Sequence, residues 1–205
     1  MGELEERPWS APDWIRCQNS NMQRLFSLFC GRGVWGGGSG AGSAPANVRP
    51  YMHFLQTFLR EKKIQRVLDL GCGDWQFARY VDWTGIDYTG VDVVPSVIEQ
   101  HQKQFARDHH IRFVCADVTA YEMPDADLVT IKDVLQHWSN ETVLKFLPKL
   151  QKYRYVLFVN GFRAENADCE TGDTRPMNLQ APPFNLPVDC VLSFAAKKVY
   201  LMENL

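Results

Sequence analysis

The residues best placed to do chemistry begin with Asp69-x-Gly71-x-Gly73, at the end of the apolar run Val67-Leu68-Asp69-Leu70. The first glycine permits a turn that a side chain would block, and the second lets backbone amides approach a ligand closely. A strand that ends in such a turn before a helix suits a nucleotide-like ligand. A dinucleotide site wants a third glycine three residues on, and Gln76 stands there. An acid about 20 residues beyond a glycine turn suits ribose hydroxyls; Asp92, followed by Val93, has that spacing. A third acid, Asp117, follows another apolar run and precedes Val118. Farther on, Lys132-Asp133-Val134-Leu135-Gln136-His137 brings a candidate general base, since the imidazole pKa is about 6.5. Asp133 lies four residues before His137, on the same face if the segment turns helical, where it would orient the ring. Lys132 is a strand-end charge or a cofactor contact.

These residues need elements to hold them. The pattern predicts strands at 65–70, 88–94, 111–115, 126–132 and 155–160, with helices at 76–81, 95–107 and 140–150 between them. That alternation implies a mostly parallel sheet covered by helices on both faces, so the acids and glycines gather at one sheet edge. The runs at 188–195 and 199–202 are separated too briefly for a parallel crossover and predict an antiparallel hairpin. Upstream, residues 21–30 predict a short amphipathic helix. Residues 47–62 predict another, with Pro50 in its first turn and an apolar stripe of Tyr51, Phe54, Leu55, Phe58 and Leu59. Between them, residues 31–43 are rich in Gly and Ser. Their composition says linker, yet Trp35, Ser39 and Ser43 are also suited to a lid over a ligand. The division is therefore an extension at 1–46 and a main domain at 47–205.

A long polar insertion follows Asn160 and runs to Pro187. Loops of that length inside a compact domain are often functional. Arg163, Asn166, Arg175 and Asn178, with Trp35 from the Gly/Ser segment, are the candidate acceptor-pocket residues.

The form Asp-x-Gly-x-Gly, the later acids and the terminal hairpin resemble the class I S-adenosylmethionine (SAM)-dependent methyltransferases. Several segments are similar to a mainly bacterial group of them: the Gly/Ser stretch, Asp69 to Trp75, Lys132 to His137, and Gly172 to Phe184. The resemblance implies an α/β, Rossmann-like three-layer sandwich. Its mostly parallel seven-stranded sheet would end in the antiparallel hairpin, with an N-terminal helical extension. It implies SAM as cofactor, held by Asp69, Gly71, Gly73, Asp92, Val93, Asp117, Val118 and Lys132; Asp117 would accept from the adenine amine while Val118 packs on the ring. It implies methyl transfer by in-line displacement to an oxygen or nitrogen of a small molecule or peptide, with His137 and Asp133 as the catalytic pair. The alternatives are a non-catalytic SAM-binding sensor or partner subunit, and an NAD-dependent oxidoreductase.

Bulk properties narrow the field. The chain has 205 residues, 45% hydrophobic, with a formal charge of −2, which argues against a duplex nucleic-acid surface. No apolar run reaches the roughly 20 residues of a membrane span. The six cysteines form no C-x-x-C pair and with the histidines make no metal-ligand pattern, so reduced structural thiols, no metal and a cytoplasmic location are expected.

Overall fold

In the computed structural model, residues 20–34 and 38–204 are described. Strands β1 (Arg66–Leu70), β2 (Asp87–Asp92), β3 (Ile111–Cys115), β4 (Leu128–Lys132) and β5 (Tyr155–Gly161) are followed by β6 (Asp189–Phe194) and β7 (Lys197–Glu203). They form one sheet in the order β3-β2-β1-β4-β5-β7-β6. The first five are parallel, and β7 runs antiparallel between β5 and β6. Strand order reverses between β1 and β4, which opens a crevice at their carboxyl ends where ligands bind in such sheets.

The central strands are covered on both faces. Every residue of β4, Leu-Val-Thr-Ile-Lys, is buried, as expected of parallel strands between two helical layers. Helix α2 (Pro45–Glu61) buries Val48, Tyr51, Leu55, Phe58 and Leu59, spaced by three and four. Pro45 is the proline of its first turn, whereas Pro50 lies inside the helix. The helix therefore begins before residue 47, and a boundary between 46 and 47 would cut its first turn. Among the described residues the other α-helices are α1 (Asn21–Gly31), α3 (Pro95–Gln104) and α4 (Asn140–Phe146). Ser20 caps α1 by accepting from the Gln23 amide, and Ser139 caps α4 by accepting from Thr142.

Several expected elements are shorter or longer than their patterns, and helix α4, expected to residue 150, ends at Phe146. Residues 76–81 hold only a 3-10 turn, Ala78–Tyr80. Helix α3 stops at Gln104. Strand β7 starts at Lys197, which moves that lysine from the hairpin turn into the sheet. Among the described residues no helix is long and apolar enough to cross a membrane.

Candidate active site

The Gly turn follows β1 directly. The Gly71 and Cys72 amides both donate to the Val91 carbonyl, at 2.7 and 3.0 Å. Gly71 and Gly73 have φ of +76° and +55°, values that glycine adopts without steric cost. Close packing adds a second reason. A Cβ on Gly71 would lie 2.2 Å from Val134 Cγ2, and one on Gly73 would lie 1.9 Å from Ser39 Oγ. Trp75 also has a positive φ, +59°. It is buried among the rings of Tyr88, His101, Phe105 and Phe113, and this packing holds a conformation unusual for a bulky residue. The His101 Nε2–H donates to the Gly73 carbonyl at 2.9 Å, tying the turn to α3.

The three acids meet around that turn. Asp69 is buried, and it accepts from Tyr88 Oη and Thr130 Oγ1, each at 2.6 Å. Burial raises its pKa, and those two hydroxyls oppose the shift. Asp92 accepts from the Gly73 amide at 2.9 Å and the Val94 amide at 3.0 Å; burial raises its pKa too, against the pull of those amides. Asp117 holds Thr119 through its amide and hydroxyl, at 3.0 and 2.6 Å.

One cavity of ≈ 330 Å³ joins these groups, within the ~300–1,000 Å³ typical of small-molecule sites. Asp69, Gly71, Gly73, Asp92, Val93, Asp117, Val118, Lys132, Asp133 and His137 all line it. Residues 38–43 form one wall, and Met22, Phe26 and Cys30 of α1 add an apolar stripe. The Gly/Ser segment thus packs on the site: the Asp74 amide donates to Ser39 Oγ at 3.0 Å.

His137 sits in a 3-10 turn, Leu135–His137. Its Nδ1 lies 3.0 Å from the Asp173 carbonyl and 2.9 Å from Thr174 Oγ1. A carbonyl can only accept, so Nδ1 carries the proton and Nε2 the basic lone pair. Burial holds this imidazole below its ordinary pKa. Asp133 does not orient the ring, contrary to the sequence expectation. The segment does not continue as an α-helix, and the carboxylate turns instead to Lys132 Nζ, at 2.5 Å, and to Lys197 Nζ. Lys132 also donates to the Gly42 carbonyl and Ser43 Oγ, at 3.1 and 2.8 Å, and burial lowers its pKa against the pull of Asp133.

The insertion departs further from expectation. Arg163 is exposed and Arg175 is buried, and neither lines the cavity. Arg175 donates to the Trp138 carbonyl at 2.5 Å, to Asn140 Oδ1 at 2.6 Å and to Cys169 Sγ at 3.0 Å. Asn166 donates to the carbonyls of Asn178 and Pro182 and accepts from the Asn178 amide. The Asn178 side chain donates to the Ala164 carbonyl and accepts from Tyr200 Oη. Asn166 and Asn178 thus serve the loop's own backbone, and Arg175 ties the loop to the start of α4. Thr174 and Gln136 line the cavity in their place. Trp35 lies outside the described residues. Sequence reading also missed Ser39 as a contact of the turn, His101 and Lys197; only His101 carried a signal, three residues after the buried Ile98 on the same helix face.

The cavity's chemistry discriminates between cofactors. Asp69, Asp74, Asp92 and Asp117 line it together, a set that repels a pyrophosphate and suits a cationic sulfonium and ammonium. Among the described residues Asp74 Oδ1 is buried without a hydrogen-bond partner, an acceptor suited to an N–H donor. Gln76 lines the cavity and donates to Asp74 Oδ2 at 2.9 Å, so a side chain stands where a dinucleotide turn keeps a bare glycine.

Comparison with known proteins agrees. Residues 67–153 match the family described as a methyltransferase domain. Over that stretch the likeness is to a methyltransferase domain. The chain's mostly parallel seven-stranded sheet with the terminal antiparallel pair is the Rossmann-like methyltransferase fold. Over 89 residues the chain is 29% identical to a malonyl-[acyl-carrier protein] O-methyltransferase of Enterobacter lignolyticus (strain SCF1), 43% of this chain and 32% of that protein. The chain thus spans about a third of that relative's length. Among solved structures, the SAM-dependent methyltransferase SibL superposes with a TM-score of 0.56 at 19% identity, over 77% of this chain and 55% of the other. Magnesium protoporphyrin IX methyltransferase from Synechocystis PCC 6803, with bound S-adenosylhomocysteine (SAH), gives 0.56 at 13%, over 78% and 84%. At these identities the likeness is one of fold.

Proposed function

We propose that the protein is an enzyme that transfers a methyl group from SAM to an oxygen or nitrogen of a small molecule or peptide. The observation that carries this reading is the cavity that joins the Gly turn and its acids to the half-buried imidazole of His137. When bound, SAM supplies an electrophilic methyl on a sulfonium. Asp92 accepts from the ribose hydroxyls through lone pairs that its two amide bonds leave over. Asp117 receives the adenine amine, with Val93 and Val118 against the ring. Asp69 and Asp74 provide negative charge for the cationic amino-acid end. His137 takes the acceptor's proton on Nε2, its other nitrogen held by the Asp173 carbonyl and the Thr174 hydroxyl. Positioning and exclusion of water by the α1 stripe and residues 38–43 contribute the rest.

The test is SAH formation with phenols, carboxylic acids, amines and short peptides as acceptors. Turnover with at least one class, lost in Asp92→Ala, is expected. Tight SAM binding with no SAH formed from any class would favour the non-catalytic alternative.

A further inference from the structure

Lys197 stands on the last strand of the sheet and Gly42 in the first loop of the described domain, 155 residues apart, yet the ammonium donates to the Gly42 carbonyl at 3.3 Å. The same carbonyl receives Lys132 Nζ at 3.1 Å. Both lysines also pair with Asp133 Oδ2. Two ammoniums therefore share one carboxylate, and the surplus positive charge is spent on a backbone dipole and the Ser43 hydroxyl. Hydrogen bonds from a charged donor are about twice as strong as neutral ones. Asp133 is itself fixed: it has φ +58° just past β4, and its amide donates to the Val159 carbonyl at 2.8 Å.

What this cluster holds is a segment that would not hold itself. Residues 38–43 contain three glycines, and Gly38 and Gly40 have φ of +71° and +79°. Ordering such a chain costs about 1–2 kcal/mol per residue. The segment is fastened at one end to the cofactor turn through Ser39 and Asp74 and at the other to the two lysines. Between those fastenings it forms a wall of the cavity.

We propose that Lys197 is a positioning residue for the cofactor, acting through Asp133 and the Gly42 carbonyl to hold residues 38–43 closed against the Gly turn. This rests on the reading of the cavity as a SAM site. It goes beyond that reading by making the terminal hairpin part of cofactor retention. Lys197 also lines the cavity; when a binding-competent state is only partly populated, apparent affinity falls by that fraction, so loosening the fastening weakens SAM, and exchange in residues 38–44 reports that loosening separately from any direct contact.

The experiment compares Lys197→Met, Lys197→Arg and Lys198→Met in the full chain. Lys198 is the control, since its ammonium lies over the Phe162 ring at 3.5 Å and is not among the cavity-lining groups. Amide hydrogen exchange over residues 38–44 reads the fastening without cofactor. SAM affinity by calorimetry reads the consequence, and the KM–kcat split for SAM reads it during turnover. Lys197→Met should exchange faster in that segment, bind SAM on the order of ten-fold more weakly and show the loss in KM rather than kcat. Lys197→Arg should restore most of it, and Lys198→Met should match wild type. Unchanged exchange in a folded Lys197→Met, or equal effects of the two Met variants, would overturn the fastening. Faster exchange at unchanged SAM affinity would overturn the positioning role. Should the wild type form no SAH, exchange and affinity still decide the proposal, so its failure is separable from that of the methyl-transfer reading.

Discussion

At the scale of single residues, the proposed function divides the labour between His137 and Asp92. Because burial depresses the His137 pKa, the ring is neutral at physiological pH and remains a base somewhat below it. The acid limb of kcat/KM against pH should fall below the ordinary imidazole value of about 6.5, as an initial-rate pH series would show. The same shift has a stability consequence. Below about pH 6.5 the unfolded chain binds this proton more readily than the folded one, so stability is lost as pH falls from there through the folded pKa. Thermal melts at about pH 8 and about pH 5 should show a smaller loss for His137→Gln than for wild type. His137→Ala should cost on the order of 10²–10⁴ in kcat with little change in SAM affinity. Asp92→Asn keeps the shape but removes the charge, and should weaken SAM by about 1.5–3 kcal/mol in calorimetry. The acids were legible in the sequence because each ends an apolar run. The partners of His137 were not, because Asp173 and Thr174 come from a loop whose path no periodicity predicts.

At the scale of elements, the polar insertion shows why composition misleads. A long loop with almost no strand or helix of its own must still find donors for its carbonyls, and for the helix start it crosses. Arg175, Asn166 and Asn178 supply them, so side chains that read as an open polar pocket are consumed internally. Arg175→Met should therefore destabilise the fold by about 1–3 kcal/mol for each acceptor it leaves unpaired, seen as a lower urea midpoint, while SAM affinity in the folded variant stays near wild type. The Gly/Ser segment misleads in the opposite direction. Its composition matches a spacer, but Gly38 has φ +71°, which strains any side chain there, and a Cβ would also lie 1.8 Å from Asp74 Oδ2, so the carboxylate would have to move. Gly73→Ala should displace Ser39 and abolish measurable SAM binding in calorimetry, since both the φ of +55° and the 1.9 Å approach oppose it.

At the scale of the whole molecule, the sheet's mostly parallel character and its closing antiparallel hairpin were readable from alternation and from the short hairpin spacing, because parallel strands need crossovers and antiparallel ones do not. What alternation could not reveal is that β7 lies inside the sheet, beside β5, with β6 at the edge. That placement brings Lys197 to the crevice. Ligand binding should act on this assembly as a unit. SAM at about 100 times its Kd should stabilise the fold by about 2.7 kcal/mol, a rise of roughly 5–10 °C in Tm for a chain of this size. NAD at the same concentration should leave the melt unchanged.

The two hydroxyls on Asp69 carry a consequence for how such a site can drift over time. Tyr88 belongs to β2 and Thr130 to β4, the strands on either side of β1, and in them sequence change would ordinarily be tested only for hydrophobic fit. Here an otherwise mild exchange, Tyr88→Phe or Thr130→Val, would leave a buried carboxylate short of a donor next to the cofactor. Positions 69, 88 and 130 should thus be inherited as a set: a descendant that gave up the threonine would be viable only with a new donor nearby or without the acid.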